Sequence, residues 1–204
     1  WYVAYVGIHR RRDSALIQVV RRVTDRDLVP SAPSLEGELR DILRERDEIV
    51  EDRFDCLIHE CPILDREGSE SVWEFFRDIA GVLAKDLNMD RERVFELLVE
   101  RERESTTALR PGLAIPHIVV DGEGVFGVLL ARSKGGIVFS DDAPPVHAVF
   151  VLMGSADERN YHLRALMHIA QITQETGFDE RWMRAAGEEQ LRSIVLLGTR
   201  RRDD

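Results

Sequence analysis

The sequence predicts an α/β protein with a mixed β-sheet that is flanked by helices on both faces. A nearly continuous apolar run at residues 125–131 is typical of a central strand buried on both faces, and residues 146–153 predict a further strand. Amphipathic helical stretches alternate with these strands, and Gly-rich and Asp-rich segments between other strands indicate tight turns. Strands joined by helices and strands joined by turns together predict a mixed sheet.

The composition limits the class of protein. The 204 residues suffice for one good-sized domain with appendages, and 44% hydrophobic with 32% charged residues indicates a soluble protein with a core. The net charge of -10 makes binding to nucleic acid or to anionic lipid unexpected. Two cysteines do not form a disulfide framework, and neither a signal peptide nor an internal repeat is visible.

The first predicted region, residues 1–30, begins with aromatic and apolar residues that are followed by three arginines at 10–12. This pattern is typical of the cytoplasmic end of a transmembrane helix, although eight apolar residues are too few to span a bilayer. An N-terminal strand with a basic flank is the alternative. The start at Trp1 instead of Met favours a clipped membrane protein. Residues 13–29 then show the spacing of an amphipathic helix.

Residues 31–52 form the second predicted region, a Pro- and Ser-containing linker followed by a short helix over 34–48. Both N-terminal helices have an apolar face that would pack on the main domain, on a partner copy or under a membrane domain. The sequence does not choose among these.

The main domain is predicted over residues 53–204. Alternation at Phe54, Cys56 and Ile58 predicts a first strand. Cys56, His59 and Cys61 match no standard zinc spacing, so buried cysteines are favoured over a metal site.

Two helices follow that strand. Ser71 with Glu74 predicts a capping box for the first, and Asp90 is expected to cap the second, which should run to about Arg101. A short apolar strand is then expected to end at His117, and residues 118–120 to continue extended into a hairpin-like turn at 121–124.

The rest of the main domain holds further strands and helices. Gly135 and Gly136 lack the Gly-Lys-Ser/Thr of a phosphate loop and predict a hairpin turn before a strand at 137–139. A helix is expected from about Glu158, with short helical pieces at 178–182 and 188–191 and a closing strand or helix end at 194–197.

The stretch 101–117 carries the chemistry that the sequence suggests. A charged helix end, a Ser/Thr-rich turn and a Pro-Gly break place an arginine and several hydroxyls upstream of one histidine, His117. Such groups suit anion or phosphoryl handling. An incidental surface histidine is the alternative, and spacing alone favours it.

This stretch resembles the enzyme IIA domains of the fructose/mannitol and nitrogen-regulatory branch of the bacterial phosphotransferase system. The motif residues are Arg101-Glu102, the Ser/Thr-Thr pair, and Leu113 to His117; His162-Leu163 resembles the later His-Leu motif. The resemblance implies that His117 accepts the phosphoryl group, with His162 beside it and Arg101 completing the pocket. Thr107 is a lesser candidate. It also implies the mixed-sheet fold, an HPr-like phosphocarrier as partner, and no cofactor or metal.

Two departures and one further resemblance shape the functional expectation. Ile118 stands where the family usually has a small residue, and this side chain would crowd an incoming phosphocarrier. No enzyme IIB or IIC segment is visible. Residues 1–12 resemble the exit of the last membrane helix in amino-acid permeases of the amino acid–polyamine–organocation superfamily.

The expected function is therefore a regulatory domain on the cytoplasmic side of the cell membrane, attached to a transporter membrane domain. A working phosphotransferase is the alternative, and a structural or dimerising module with a vestigial site is the third. The other histidines (His9, His59, His147 and His168) have no motif and are expected to be structural or, for His9, part of the basic cluster.

Overall fold

A computed structural model of the chain describes residues 51–86 and 88–201. The predicted membrane-proximal segment, linker and short helix at residues 1–50 lie outside this part. Within it, no helix combines the length and the apolar character that crossing a bilayer requires.

The described residues form six α-helices and seven strands. The helices are α1 (Arg53–Glu60), α2 (Val72–Asp86), α3 (Arg91–Glu104), α4 (Arg159–Thr173), α5 (Phe178–Arg184) and α6 (Glu188–Leu197). The strands are β1 (Ile63–Arg66), β2 (Glu70–Ser71), β3 (Ala108–Arg110), β4 (Gly112–Ala114), β5 (His117–Val120), β6 (Phe126–Val138) and β7 (Val146–Ser155). A 3-10 turn, Ala156–Glu158, leads into α4.

The two long strands β6 and β7 are antiparallel and form the centre of one mixed sheet. β1 and β2 pair in succession with β6, both parallel to it. On the other side, β4 and β5 pair in succession with β7, again parallel, and β3 lies antiparallel outside β4. The predicted mixed sheet is confirmed.

Alternate side chains of β6 and β7 point to opposite faces of the sheet, and each face is covered by helices. Leu130 and Phe150 belong to the core shared with α1, α4, α5 and α6. Leu129 and Val151 belong to the core shared with α2 and α3. The prediction of helices on both faces is therefore confirmed.

Local capping signals explain where α2 and α3 begin. Ser71 and Glu74 form the predicted capping box, in which the Ser71 N–H donates to Glu74 at 2.9 Å and the Glu74 N–H donates to Ser71 Oγ at 3.3 Å. The Asp90 carboxylate accepts from the Arg93 N–H at 2.8 Å. Both predicted caps are confirmed.

The predicted strand at residues 54–58 is wrong, because this segment is helix α1. Phe54 and Ile58 are four residues apart and are both buried, as one face of a helix requires, whereas Cys56 is exposed. Asp52 and Asp55 form a capping box that starts the helix. The capping box therefore outweighs the short alternation.

A buried cluster of charges joins the two ends of the described domain. Arg200 donates to both Asp52 oxygens, at 2.5 and 2.8 Å, and lies 2.7 Å from Asp55. The side chains of all three residues are nearly inaccessible to solvent. The C-terminal residues are thereby held against the first turn of α1.

The predicted hairpin at Gly135 and Gly136 is also wrong, because both glycines lie inside the single strand β6. The β6–β7 register is irregular between Arg132 and Ile137. A Cβ on Gly135 would come within 2.4 Å of the Ser69 backbone nitrogen, and Gly136 has φ +88°. Both positions therefore require glycine in a bulged strand.

Residues 121–124 do not form a hairpin between paired strands. They carry the chain from β5, on one side of β7, to β6 on the other. The connection crosses the end of β7, where Ser155 N–H donates to the Val125 carbonyl at 2.9 Å. The crossing places Phe126 next to the start of α4, where its ring centroid is 4.8 Å from that of Tyr161.

Candidate functional site

His117 begins strand β5 and does not end the preceding strand as predicted, since β4 stops at Ala114. Its register partner is Leu152 of β7. Because side chains alternate along a strand, His117 and Val119 face one side of the sheet, and Ile118 and Val120 face the other. Ile118 and Val120 are buried in the core under α2 and α3, whereas His117 is half-buried.

The burial of Ile118 contradicts the expectation that it crowds an incoming phosphocarrier. Its side chain is 3% exposed and belongs to the core on the side of the sheet opposite His117. A β-branched residue at this position fills the interior, so it offers no steric obstacle to docking at the histidine.

The backbone determines which nitrogen of His117 carries the proton. Nδ1 lies 2.9 Å from the Ile115 carbonyl oxygen, which can only accept a hydrogen bond. A neutral ring therefore carries its proton on Nδ1 and its lone pair on Nε2.

Arg101 contacts this second nitrogen from the last turns of α3. Its Nε and Nη2 groups donate to His117 Nε2 at 3.3 and 3.1 Å. Its Nη1 donates to Ser105, to the carbonyl and to the hydroxyl, both at 3.0 Å. Ser105 is the C-cap residue of α3, so the guanidinium is held at the helix terminus while it faces the imidazole.

His162 lies in the first turn of α4, and its ring centroid is 5.5 Å from that of His117, at an interplanar angle of 69°. Burial lowers the pKa of His162, and the neighbouring His117 lowers it further. His162 Nε2 is buried without a hydrogen-bond partner among the described residues. The lowered pKa favours the neutral form of the ring.

Arg101, His117 and His162, which come from three separate elements, therefore meet at one place. A nucleophilic nitrogen, a fixed cation and a neutral imidazole suit the binding and transfer of a phosphoryl group. The individual roles of the three residues remain predictions.

Thr107 does not join this group, contrary to its selection as a lesser candidate. It is 2% exposed, and its hydroxyl donates to the Glu102 carboxylate at 2.5 Å. Glu102 was not selected from the sequence, although it directly follows Arg101 in the motif. The Arg101-Glu102 pair of the motif was the sequence signal that could have identified it.

The other described histidines lie outside the site. His59 Nε2 is 2.9 Å from Glu51, and His147 Nδ1 is 2.9 Å from the Ser133 carbonyl. His168 is fully buried, with its ring centroid 5.2 Å from that of Phe54. The structural interpretation of these three histidines agrees with their positions.

Exposed apolar side chains adjoin both site histidines. Val119 is 61% exposed on the same face of β5 as His117, and Leu163, directly after His162, is 58% exposed. Met167, one helical turn further along α4, is 44% exposed. Exposed apolar groups beside a reactive centre are typical of a surface that binds another protein.

Comparisons with known proteins identify a matching family and fold. The family model described as "Phosphoenolpyruvate-dependent sugar phosphotransferase system, EIIA 2" matches residues 59–197. A nitrogen regulatory protein of Bradyrhizobium diazoefficiens is 32% identical over 123 residues, which are 59% of this chain and 80% of that protein.

Two solved structures are also similar. The crystal structure of nitrogen regulatory protein IIA-Ntr from Neisseria meningitidis matches with a TM-score of 0.60 at 27% identity, over 68% of this chain and 94% of that one. The crystal structure of IIA mannitol from Escherichia coli matches with a TM-score of 0.55 over 72% of this chain and 99% of that one. At 16% identity, the second match establishes the shared fold alone.

Proposed function

We propose, from the premise that this chain belongs to the EIIA 2 family of the phosphoenolpyruvate-dependent sugar phosphotransferase system, that it is a regulatory domain whose state is set by phosphorylation of His117. The family resemblance seen in the motifs is confirmed by the match over residues 59–197. The observation that supports phosphorylation is the arrangement of the His117 ring. Its Nδ1 is hydrogen-bonded to a backbone carbonyl, and its Nε2 faces a guanidinium.

The proposed step is an attack of the Nε2 lone pair on the phosphorus atom of a phosphorylated donor. The Nε2–P bond forms as the bond between phosphorus and the donor breaks, and that bonding pair leaves with the donor. Positive charge develops on the His117 ring during the attack. The Nδ1–H that donates to the Ile115 carbonyl stabilises this charge, because the carbonyl dipole has its negative end at the proton.

Arg101 has two tasks in this step. Its donors now occupy the Nε2 lone pair, so the guanidinium must release this nitrogen before the attack. The same planar fork then suits two oxygens of the transferring group. Its bond to Ser105 keeps it close throughout.

His162 contributes without adding charge. Because burial and the neighbouring ring lower its pKa, it stays neutral and does not repel the positive charge that develops on His117. Its unpartnered Nε2 is a candidate donor to a phosphoryl oxygen, if the ring adopts the Nε2–H tautomer.

An HPr-like phosphocarrier is the proposed donor. The exposed side chains of Val119, Leu163 and Met167 offer apolar contact area beside the two histidines. A protein donor must bring its phosphoryl group to a half-buried ring, and such a surface would orient it.

A regulatory output is supported by relatives that are named nitrogen regulatory proteins. Attachment to an amino-acid transporter on the cytoplasmic side of the membrane rests on the pattern of residues 1–12, and dimerisation is a further proposal. The coding sequence upstream of Trp1 tests the attachment. A start codon close by, without hydrophobic spans, would exclude it.

Relay of the phosphoryl group to an IIB-like acceptor is the second candidate function. It is favoured because Arg101, His117 and His162 are all present and meet. Loss of label from the phosphorylated protein on addition of a purified IIB domain would support relay over regulation.

Phosphorylation itself is tested with phosphoenolpyruvate, enzyme I and HPr. We expect the protein to acquire acid-labile phosphate that is lost in His117→Ala. His59→Ala is the matched control and should label normally, since His59 pairs with Glu51 away from the site. An intact, folded protein that acquires no label would refute the proposal.

A further inference from the structure

We propose that Glu102 is a positioning residue that sets the tautomer and orientation of the His117 ring through a chain of hydrogen bonds. Its importance for phosphoryl transfer rests on the function proposed above, whereas its effect on the ring does not. Glu102 touches neither the histidine nor the place of the phosphoryl group, so it acts only through other residues.

The chain of hydrogen bonds has three links. The Thr107 N–H and hydroxyl donate to the Glu102 carboxylate, the shortest contact being 2.5 Å. The Ile115 N–H donates to the Thr107 carbonyl at 3.0 Å. His117 Nδ1 donates to the Ile115 carbonyl at 2.9 Å.

These hydrogen bonds lie at the buried base of the β3–β4 hairpin, where the backbone is held in place. Ala108 pairs with Ala114 in the β3–β4 hairpin, so the bond between Thr107 and Ile115 closes its base. Glu102 ties that base to α3. Glu102, Thr107 and Ile115 are 8%, 2% and 2% exposed, and hydrogen bonds removed from water are both stronger and more costly to break.

Two consecutive residues of α3 are thereby connected by hydrogen bonds to the two ring nitrogens of His117. Arg101 reaches Nε2 directly, and Glu102 reaches Nδ1 through Thr107 and Ile115. A neutral imidazole can carry its proton on either nitrogen, and only the Nδ1–H form leaves Nε2 free to attack. The Arg101-Glu102 pair would therefore present the reactive nitrogen and keep the other one protonated.

The test is long-range proton–nitrogen NMR of the histidine rings in the full chain, which distinguishes Nδ1–H from Nε2–H tautomers. Wild type should show His117 as the Nδ1–H form. Glu102→Ala should shift it toward the mixture of an unrestrained imidazole. Glu102→Gln, which keeps one acceptor, and Thr107→Val, which removes only the hydroxyl, should give intermediate shifts. Glu100→Gln, at an exposed glutamate of the same helix, is the matched control and should leave the spectrum unchanged.

Labelling rates of the same variants give the second readout. Glu102→Ala should label about 10- to 100-fold more slowly, by analogy with the loss of activity when the hydrogen-bond partner of a metal-binding histidine is removed. Glu102→Gln should recover part of this loss. If Glu102→Ala does not fold, Glu102→Gln and Thr107→Val carry the test.

The outcomes separate the two proposals. Tautomer shifts without labelling of any variant, wild type included, support the positioning and refute the phosphorylation. Labelling at wild-type rates with an unchanged His117 tautomer in folded Glu102→Ala overturns the positioning alone. A purely structural role predicts lower melting temperatures with no change in tautomer, and that result also overturns it.

Discussion

Arg101 is the side chain whose replacement tests the proposed chemistry most directly. Arg101→Lys keeps the charge but replaces the planar fork with one ammonium group. The guanidinium now has two donors facing His117 Nε2 and a third group on Ser105. Lysine cannot maintain both sets of contacts, so we expect the loss of about one charge-assisted hydrogen bond to the transferring phosphoryl group.

The size of the effect follows from that count. A hydrogen bond to a charged group contributes about 1.5–3 kcal/mol. Since about 1.4 kcal/mol corresponds to a factor of ten in rate, Arg101→Lys should label about 10- to 150-fold more slowly. Arg101→Gln, which also removes the charge, should label more slowly still.

The assay is the initial rate of phosphate incorporation from phosphoenolpyruvate through enzyme I and limiting HPr. Arg103→Gln is the control, because Arg103 is an exposed arginine on the same helix that lies over the Trp73 ring. Arg103→Gln removes the same positive charge as Arg101→Gln, but at a position away from the histidines. A folded Arg101→Gln protein that labels at the wild-type rate would refute the role given to the guanidinium.

Three further predictions concern stability and pH. The pKa of His162 is lowered in the folded state, so at pH values below its ordinary pKa of about 6.5 the unfolded state binds a proton more readily than the folded state. The free energy of unfolding should therefore fall as the pH decreases below about 6.5. Urea titrations at pH 7.5 and 5.5 should show a smaller fall in His162→Gln, and equal falls would contradict the assigned shift. Ile118→Ala should lower the free energy of unfolding, measured in urea, by about 2–5 kcal/mol, since the side chain is buried. It should not accelerate labelling. Faster labelling would support the view that Ile118 crowds the phosphoryl donor. Arg132→Met should lower the free energy of unfolding by about 3–5 kcal/mol, because Asp65 loses its bidentate partner and the Trp182 carbonyl its donor. A loss under about 1 kcal/mol would show that this ion pair is dispensable.

The fold was predictable where a pattern was long. The apolar runs in β6 and β7 extend over enough residues to be recognised as central strands, and the caps of α2 and α3 depend on side chains close in sequence. The short α1 was not predictable from alternation, since residues four apart share a face in a helix as well as in a strand.

The remaining wrong predictions concern features that are set by tertiary contacts. Gly135 and Gly136 look the same in a hairpin as in a bulged strand, and only the approach of Gly68 and Ser69 to Gly135 distinguishes the two. Which way Ile118 points depends on the register of β5 against β7, which local sequence does not specify.

The site itself was predicted through family motifs and not through spacing. Arg101, His117 and His162 are far apart in the chain, and nothing local requires that they meet. Glu102 was missed because it acts through Thr107, five residues further along the chain, and neither residue type shows in the sequence that the pair is buried.

The clasp between Arg200 and Asp52 has a mechanical consequence. The chain enters and leaves the described domain at one shared joint, so tension applied at residues 51 and 201 loads this buried ion pair before it reaches any strand of the sheet. Segments attached at residue 51 and at residue 201 therefore both act on the same Arg200–Asp52 ion pair.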